Sequence, residues 1–261
     1  MLDIQACRDE FLKYVSNFNS TEDIVTRKIS HTLRVADISY EIADELKLEQ
    51  EEKELAYIIG ILHDIGRFRQ IMTYHTYSDQ KSNVSHSKLG VEVLFDENKI
   101  VDFIDVRKYD SIIKTAILNH STLYIEDGLN EKELLFSKII RDADKLDIFD
   151  MFTKDDLIEM GIDSGFEDSN NYSNEVLNAF LDNRQVSRNY HKYLLDWFIN
   201  AISFVYDINF KESLIILQKE KYMSRIIERM IEIKSNNENV VEMLDKINKH
   251  INSYIDNKVS N

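Results

Sequence analysis

The chain has 261 residues, 43% of them hydrophobic, and its 32 Lys and Arg against 47 Asp and Glu leave a formal charge of −15. A chain of that length removes roughly 70–75% of its unfolded surface from water on folding, and 10% aromatic residues with abundant Ile and Leu exclude a disordered chain. The acidic balance opposes a long nucleic acid as partner, because such binding rests on clustered Lys and Arg.

There is no proline and there are only six glycines, so tight β-turns lack their usual residues and the expected fold class is all-α. The first ten residues have neither the basic start nor the apolar run of a secretory leader. The one cysteine, Cys7, has no intramolecular partner for a disulfide, which suits a reducing compartment. No stretch reaches the 18 or more apolar residues of a membrane helix. A cytoplasmic protein with no membrane partner is the expectation.

Apolar residues recur at helical spacing almost throughout. The pattern predicts a helix over Asp3–Phe18. Ser20 with Asp23 resembles a capping box, opening a helix to about Leu46. There Ile24, His31, Val35, Ile38, Ile42 and Leu46 share a face. A further helix over Gln50–Ile65 buries Leu55, Ile58, Ile59 and Leu62, with Gly66 as its stop. Arg69–Ser85 is polar and aperiodic and reads as a long loop, the kind that is usually functional or mobile. Helices are predicted again over His86–Phe95, Tyr109–His120 and Glu131–Phe152. Gly161–Ser173, rich in Gly, Asp, Ser and Asn, is the best internal boundary. Amphipathic segments follow over Glu175–Tyr206, Lys211–Ile233 and Glu238–Ile255. The expected organisation is a helical domain over 1–150, with 151–261 a helical extension packed on it.

Four of the seven histidines fall on inward faces of successive helices. His31 lies with Val35 and Ile38, and His63 follows Leu55 and Ile59. His86 opens the helix bearing Leu89 and Val93, and His120 continues Ile113, Ala116 and Ile117. Each buried imidazole needs a partner, and a shared metal serves all four, since neutral imidazole is the commonest metal-binding side chain. Asp64 adjoins His63, and Asp144 lies between Ile140 and Ile148 at four-residue spacing. A carboxylate on an apolar face is costly unless paired or bound to a cation. Asp142 also lies near the apolar face of that helix, and periodicity does not choose between the two.

The order His31 … His63-Asp64 … Asp144, with Ile-Leu-His-Asp-Ile-Gly-Arg at 61–67 and Ala-Asp-Lys-Leu-Asp at 143–147, resembles the HD superfamily of metal-dependent phosphohydrolases. The match covers about residues 24–150. The resemblance implies a helical HD-type bundle in which His31, His63, Asp64 and Asp144 are the protein ligands of a first metal. It selects Asp144 over Asp142, because the family's last ligand precedes a basic residue. His-Ser-Lys-Leu-Gly at 86–90 and Ala-Ile-Leu-Asn-His at 116–120 look like the binuclear branch. There Asp64 would bridge two ions, with His86 and His120 on the second. Asn119 stands where that branch has a further histidine, which argues against a cyclic-di-GMP phosphodiesterase.

The implied cofactor is one or two divalent transition-metal ions (Mn, Fe, Co, Ni or Zn), as mixed His and Asp ligands suit. The implied chemistry is phosphoester hydrolysis by metal-activated water at Asp64, on a small phosphorylated substrate such as a nucleotide. Arg67, three residues after Asp64, is placed to clamp a phosphate, with Lys145 and Lys88 as further substrate contacts. The same ligand set also suits a di-iron oxygenase, and a metal- or nucleotide-binding regulator without turnover is a third reading. His75, His191 and His250 read as loop, packing or surface residues. Trp197 with Tyr190, Tyr193 and Phe198 suggests helix packing or a homo-oligomer contact.

Overall fold

The computed structural model describes residues 1–18, 23–157, 160, 162, 171–186, 188–233 and 237–260. It is all-α: no strand occurs among the described residues, and no described helix is long and apolar enough to cross a membrane. The chain divides into two compact units, Met1–Asp144 and Lys145–Asn261. The Ser20 cap and most of the Gly161–Ser173 boundary segment lie outside the described residues.

The first unit begins with α1 (Ile4–Val15), capped by the Asp3 carboxylate accepting from the Ala6 N–H. It buries Cys7, Phe11 and Val15. The long α2 (Asp23–Glu45) lies along α3 (Gln50–Leu62), and both feed a core of Val35, Ala36, Ile42, Leu55, Ile59 and Leu62. Each of the fully buried Val, Ile and Leu side chains contributes about 1.5–3 kcal/mol. Their close approach depends on Gly60, where a Cβ would stand 2.5 Å from the Ala36 Cα. That contact sets His31 of α2 beside His63 at the end of α3.

Next come α4 (Ile65–Tyr74), the single turn α5 (Asp79–Ser82) and α6 (His86–Val91), which continues as one π-type turn over Glu92–Asp96. Short α7 (Ile100–Phe103) precedes α8 (Asp110–Asn119) and the 24-residue α9 (Glu131–Lys154), within which the division between the units falls. Two expectations need correction here. Gly66 does not stop a helix; α3 ends at Leu62 and Gly66 sits inside α4. Arg69–Tyr74 is helical, so the predicted loop is shorter and is interrupted by α5.

The second unit contains α10 (Asn174–Leu181), α11 (Leu194–Ser203), α12 (Lys211–Lys219), α13 (Tyr222–Ile233) and α14 (Glu238–Ser260). Two segments predicted as continuous are broken. Lys221, at φ 56°, turns the chain between α12 and α13. Residues 182–193 separate α10 from α11, and buried Asp196 closes that connection by accepting from the Ser173, Lys192 and Tyr193 N–H groups. Trp197 packs edge-on against His191, with ring centroids 4.8 Å apart. His250 Nε2 lies 2.9 Å from Asn183 Oδ1.

Candidate metal centre

Helix ends of the first unit carry the site. His63 is the residue after α3, Asp64 immediately precedes α4, His86 opens α6 and His120 follows α8. Each of these four is thereby placed at a helix end, where its side chain turns into the buried interior of the unit. His31 alone comes from mid-helix. All five are buried, with exposures of 0–5%. The imidazoles form a chain His31–His63–His120–His86, with centroids 5.4, 5.2 and 4.9 Å apart in succession.

Asp64 stands at the centre of this chain and divides it. Its Oδ2 faces His31 Nε2 at 3.8 Å and His63 Nε2 at 3.7 Å. Its Oδ1 faces His86 Nε2 at 3.4 Å and His120 Nε2 at 3.8 Å. The side chains thus compose two groups able to hold a cation, His31–His63–Asp64 and Asp64–His86–His120, sharing one carboxylate. Asp144 Oδ1 lies 3.2 Å from His31 Nε2 and adds a second carboxylate beside the first group. Asp142, on the same helix, is fully buried.

The hydrogen bonds fix which ring nitrogen faces inward. His63 Nδ1–H donates to the Gly60 carbonyl at 2.7 Å, and His120 Nδ1–H to the Ile117 carbonyl at 2.6 Å. A carbonyl only accepts, so the proton must sit on Nδ1 in both rings. His86 Nδ1–H donates to Asp79 Oδ2 at 2.8 Å. In all three rings the Nε2 lone pair is left to point at Asp64. His63 Nε2 is buried without a hydrogen-bond partner, an arrangement costing about 1–3 kcal/mol when nothing binds there.

Burial holds His63 and His86 neutral by pushing both down to about 4. His86 Nε2 and His120 Nε2 are 2.9 Å apart, and two lone pairs at that distance repel. Positive charge between them and Asp64 Oδ1 relieves the repulsion. Two nitrogens held at right angles on one ion at about 2.0–2.1 Å would be about 3 Å apart, which matches. The donor set therefore fits a divalent cation on each side of Asp64. Burial works to raise the Asp64 carboxyl, but Lys28, foremost among its charged neighbours, holds it well below the usual carboxylate range. Asp144, only partly enclosed at 21% side-chain exposure, is likewise held low despite desolvation, through its hydrogen bond from His31.

The cationic residues are disposed unequally. Arg67 Nε is 3.4 Å from Asp64 Oδ1, while its Nη1 donates to Asp79 Oδ1 (2.7 Å), Gln70 Oε1 (3.0 Å) and the Tyr77 carbonyl. Its guanidinium is thus pinned at the site's edge. Lys145 lies in the second unit, where its ammonium pairs with Asp207 at 2.7 Å. Lys88 is exposed in the first turn of α6, with its backbone N–H capped by Ser85. Asn119 is committed elsewhere: it bonds the Thr115 carbonyl and both the side chain and N–H of Glu126, bracing the loop after His120. Arg141 ties down the same loop through the Asn119 and Thr122 carbonyls.

Two site residues escape a reading of the sequence. Lys28 Nζ donates to Asp64 Oδ2 at 2.9 Å, and only its place one turn before His31 on the same face hints at this. Asp79 binds His86, Arg67 and Gln70 together. It sits in the segment read as loop, where no periodicity marks it.

Comparison with protein-family models matches the HD domain over residues 29–148. Comparisons with curated proteins and with solved structures find no match.

Proposed function

We propose that the chain, whose residues 29–148 match the HD domain model, is a metal-dependent phosphohydrolase acting on a small phosphorylated substrate, a nucleotide or related phosphoester. The observation that carries this reading is the placement of Asp64, whose two oxygens face two separate pairs of inward-pointing imidazole nitrogens. His31, His63, Asp64 and Asp144 would hold one ion, and Asp64, His86 and His120 a second. A divalent ion in such a site supplies Lewis acidity, polarising phosphoryl oxygens and bringing the pKa of a bound water toward neutrality.

The chain's own residues do the rest. The Nδ1–H bonds of His63, His86 and His120 lock each ring in one tautomer, so the site is organised before substrate arrives. Low-lying Asp64 and Asp144 stay ionised at neutral pH and balance cationic charge. Arg67, held by Asp79, Gln70 and the Tyr77 carbonyl, keeps a fixed guanidinium edge beside Asp64. A planar cation in that position suits a phosphoryl oxygen. The net charge of −15 disfavours long polyanions and leaves a small substrate as the better fit.

The test is bound-metal analysis with phosphate release across a panel of nucleotides and simple phosphoesters. The wild-type chain should carry transition metal and release phosphate from part of the panel. The double variant His63→Ala, Asp64→Ala should lose both, by about a hundredfold or more in rate. Unchanged metal content and turnover in that variant would refute the assignment. Oxygen uptake by the iron-loaded chain without phosphate release would refute it in favour of oxygenase chemistry.

A further inference from the structure

Two side-chain cations flank the central carboxylate, one on each oxygen. Lys28 Nζ is 2.9 Å from Asp64 Oδ2, and Arg67 Nε is 3.4 Å from Asp64 Oδ1. Lys28 therefore lies on the oxygen that faces His31 and His63. Its side chain keeps 23% exposure against 4% for Asp64, so the carboxylate is enclosed and the lysine stands at the solvent-facing rim. Resting on the reading of Asp64 as a shared cation ligand, we propose that Lys28 is, beside the fixed Arg67, the movable anion contact of this site. Its ammonium occupies Asp64 Oδ2 until a divalent cation claims that oxygen, and then pairs with the phosphoryl group of the substrate.

The two flanking cations differ in freedom. Arg67 is fastened through Asp79, Gln70 and the Tyr77 carbonyl. Lys28 is held by the Asp64 carboxylate at the end of a flexible four-carbon stem with three rotatable donors, and can swing by several ångströms without moving α2. An ammonium and a divalent ion on one oxygen repel strongly where water is scarce. A displaced, half-buried ammonium is costly unless it finds another anion. A phosphoryl group arriving at the cation supplies one within reach. Lys28 thus acts with opposite sign on the two ligands: it competes with the cation and favours the anion. It also orders their binding, cation first.

The experiment uses the intact chain with Mn(II) and inorganic phosphate as probes, comparing wild type, Lys28→Met and Lys28→Arg. Mn(II) affinity is read by calorimetry, and phosphate affinity by titration of the Mn-loaded protein. Lys28→Met should bind Mn(II) about fivefold more tightly, having lost the competing charge. The same variant should bind phosphate about tenfold more weakly, having lost a charged hydrogen bond. Lys28→Arg should hold phosphate within about threefold of wild type, keeping the charge. Unchanged phosphate affinity in Lys28→Met would overturn the proposal. So would joint weakening of Mn(II) and phosphate, which marks a purely structural lysine, or a Lys28→Arg variant no better than Lys28→Met. A wild-type chain that binds no Mn(II) would instead remove the cation reading itself, before any substitution is made, and the role of Lys28 with it.

Discussion

Gly66 lies in backbone contact with His86: a Cβ on Gly66 would stand 2.1 Å from the His86 carbonyl oxygen and 2.4 Å from the Gly90 nitrogen. Helices α4 and α6 can cross this closely only because that position lacks a side chain. The crossing brings His86 to 3.4 Å from Asp64. Gly66→Ala must push the helices apart, since both obstacles are backbone and cannot rotate away. The expected cost is about 1–3 kcal/mol or more in a urea unfolding experiment. Loss of cation binding should be greatest in the group containing His86. An unchanged unfolding midpoint would mean that the two helices do not meet as described.

Asp79 reaches out of a surface segment to orient His86, accepting at 2.8 Å from Nδ1. His63 and His120 receive the same service from backbone carbonyls, so of these three rings His86 is the one oriented by a replaceable side chain. Asp79→Ala should weaken Mn(II) binding in the Asp64–His86–His120 group by about 10–100-fold. The His31–His63–Asp64 group should keep its affinity. A titration resolving the two steps checks this, and equal weakening of both would contradict it.

The buried histidines set the acid limit of the metal-free protein. Burial holds His63 and His86 at about 4 when folded, below their ordinary 6.5. As pH falls from 6.5 toward 4 the unfolded chain takes up protons at these positions and the folded chain does not. Stability must therefore decline across that window. Asp64, Asp79 and Asp144, all held below the ordinary 3.8, add stability that is lost only at lower pH. Melting temperatures in chelator from about pH 7.5 down to about pH 4, which spans that window, should fall steadily below about pH 6.5. A flat profile would show that these imidazoles are not buried and neutral.

How much of this can be read from the sequence differs by element. The faces of α2 and α3 and the inward histidines are legible, because apolar residues at three- and four-residue steps mark a buried stripe directly. The resemblance then singles out Asp144, which lies 3.2 Å from His31, where periodicity leaves Asp142 equally eligible. Gly66 misleads, since a glycine after an apolar helix usually ends it; its use is tertiary and shows only when α6 lies across it. The turn at Lys221 has no Gly or Pro to announce it, although its φ is positive and α12 and α13 meet beyond it. Lys28 and Asp79 matter for what they touch across 36 and 7 residues of chain. No local pattern encodes such a contact.

The most direct test of a divided site is an anomalous difference map from crystals of the chain soaked in Mn(II). Two peaks should flank Asp64, one bounded by His31, His63 and Asp144 and the other by His86 and His120. Ions bound elsewhere, with the Asp64 carboxylate still held by Lys28 and Arg67 alone, would contradict the account.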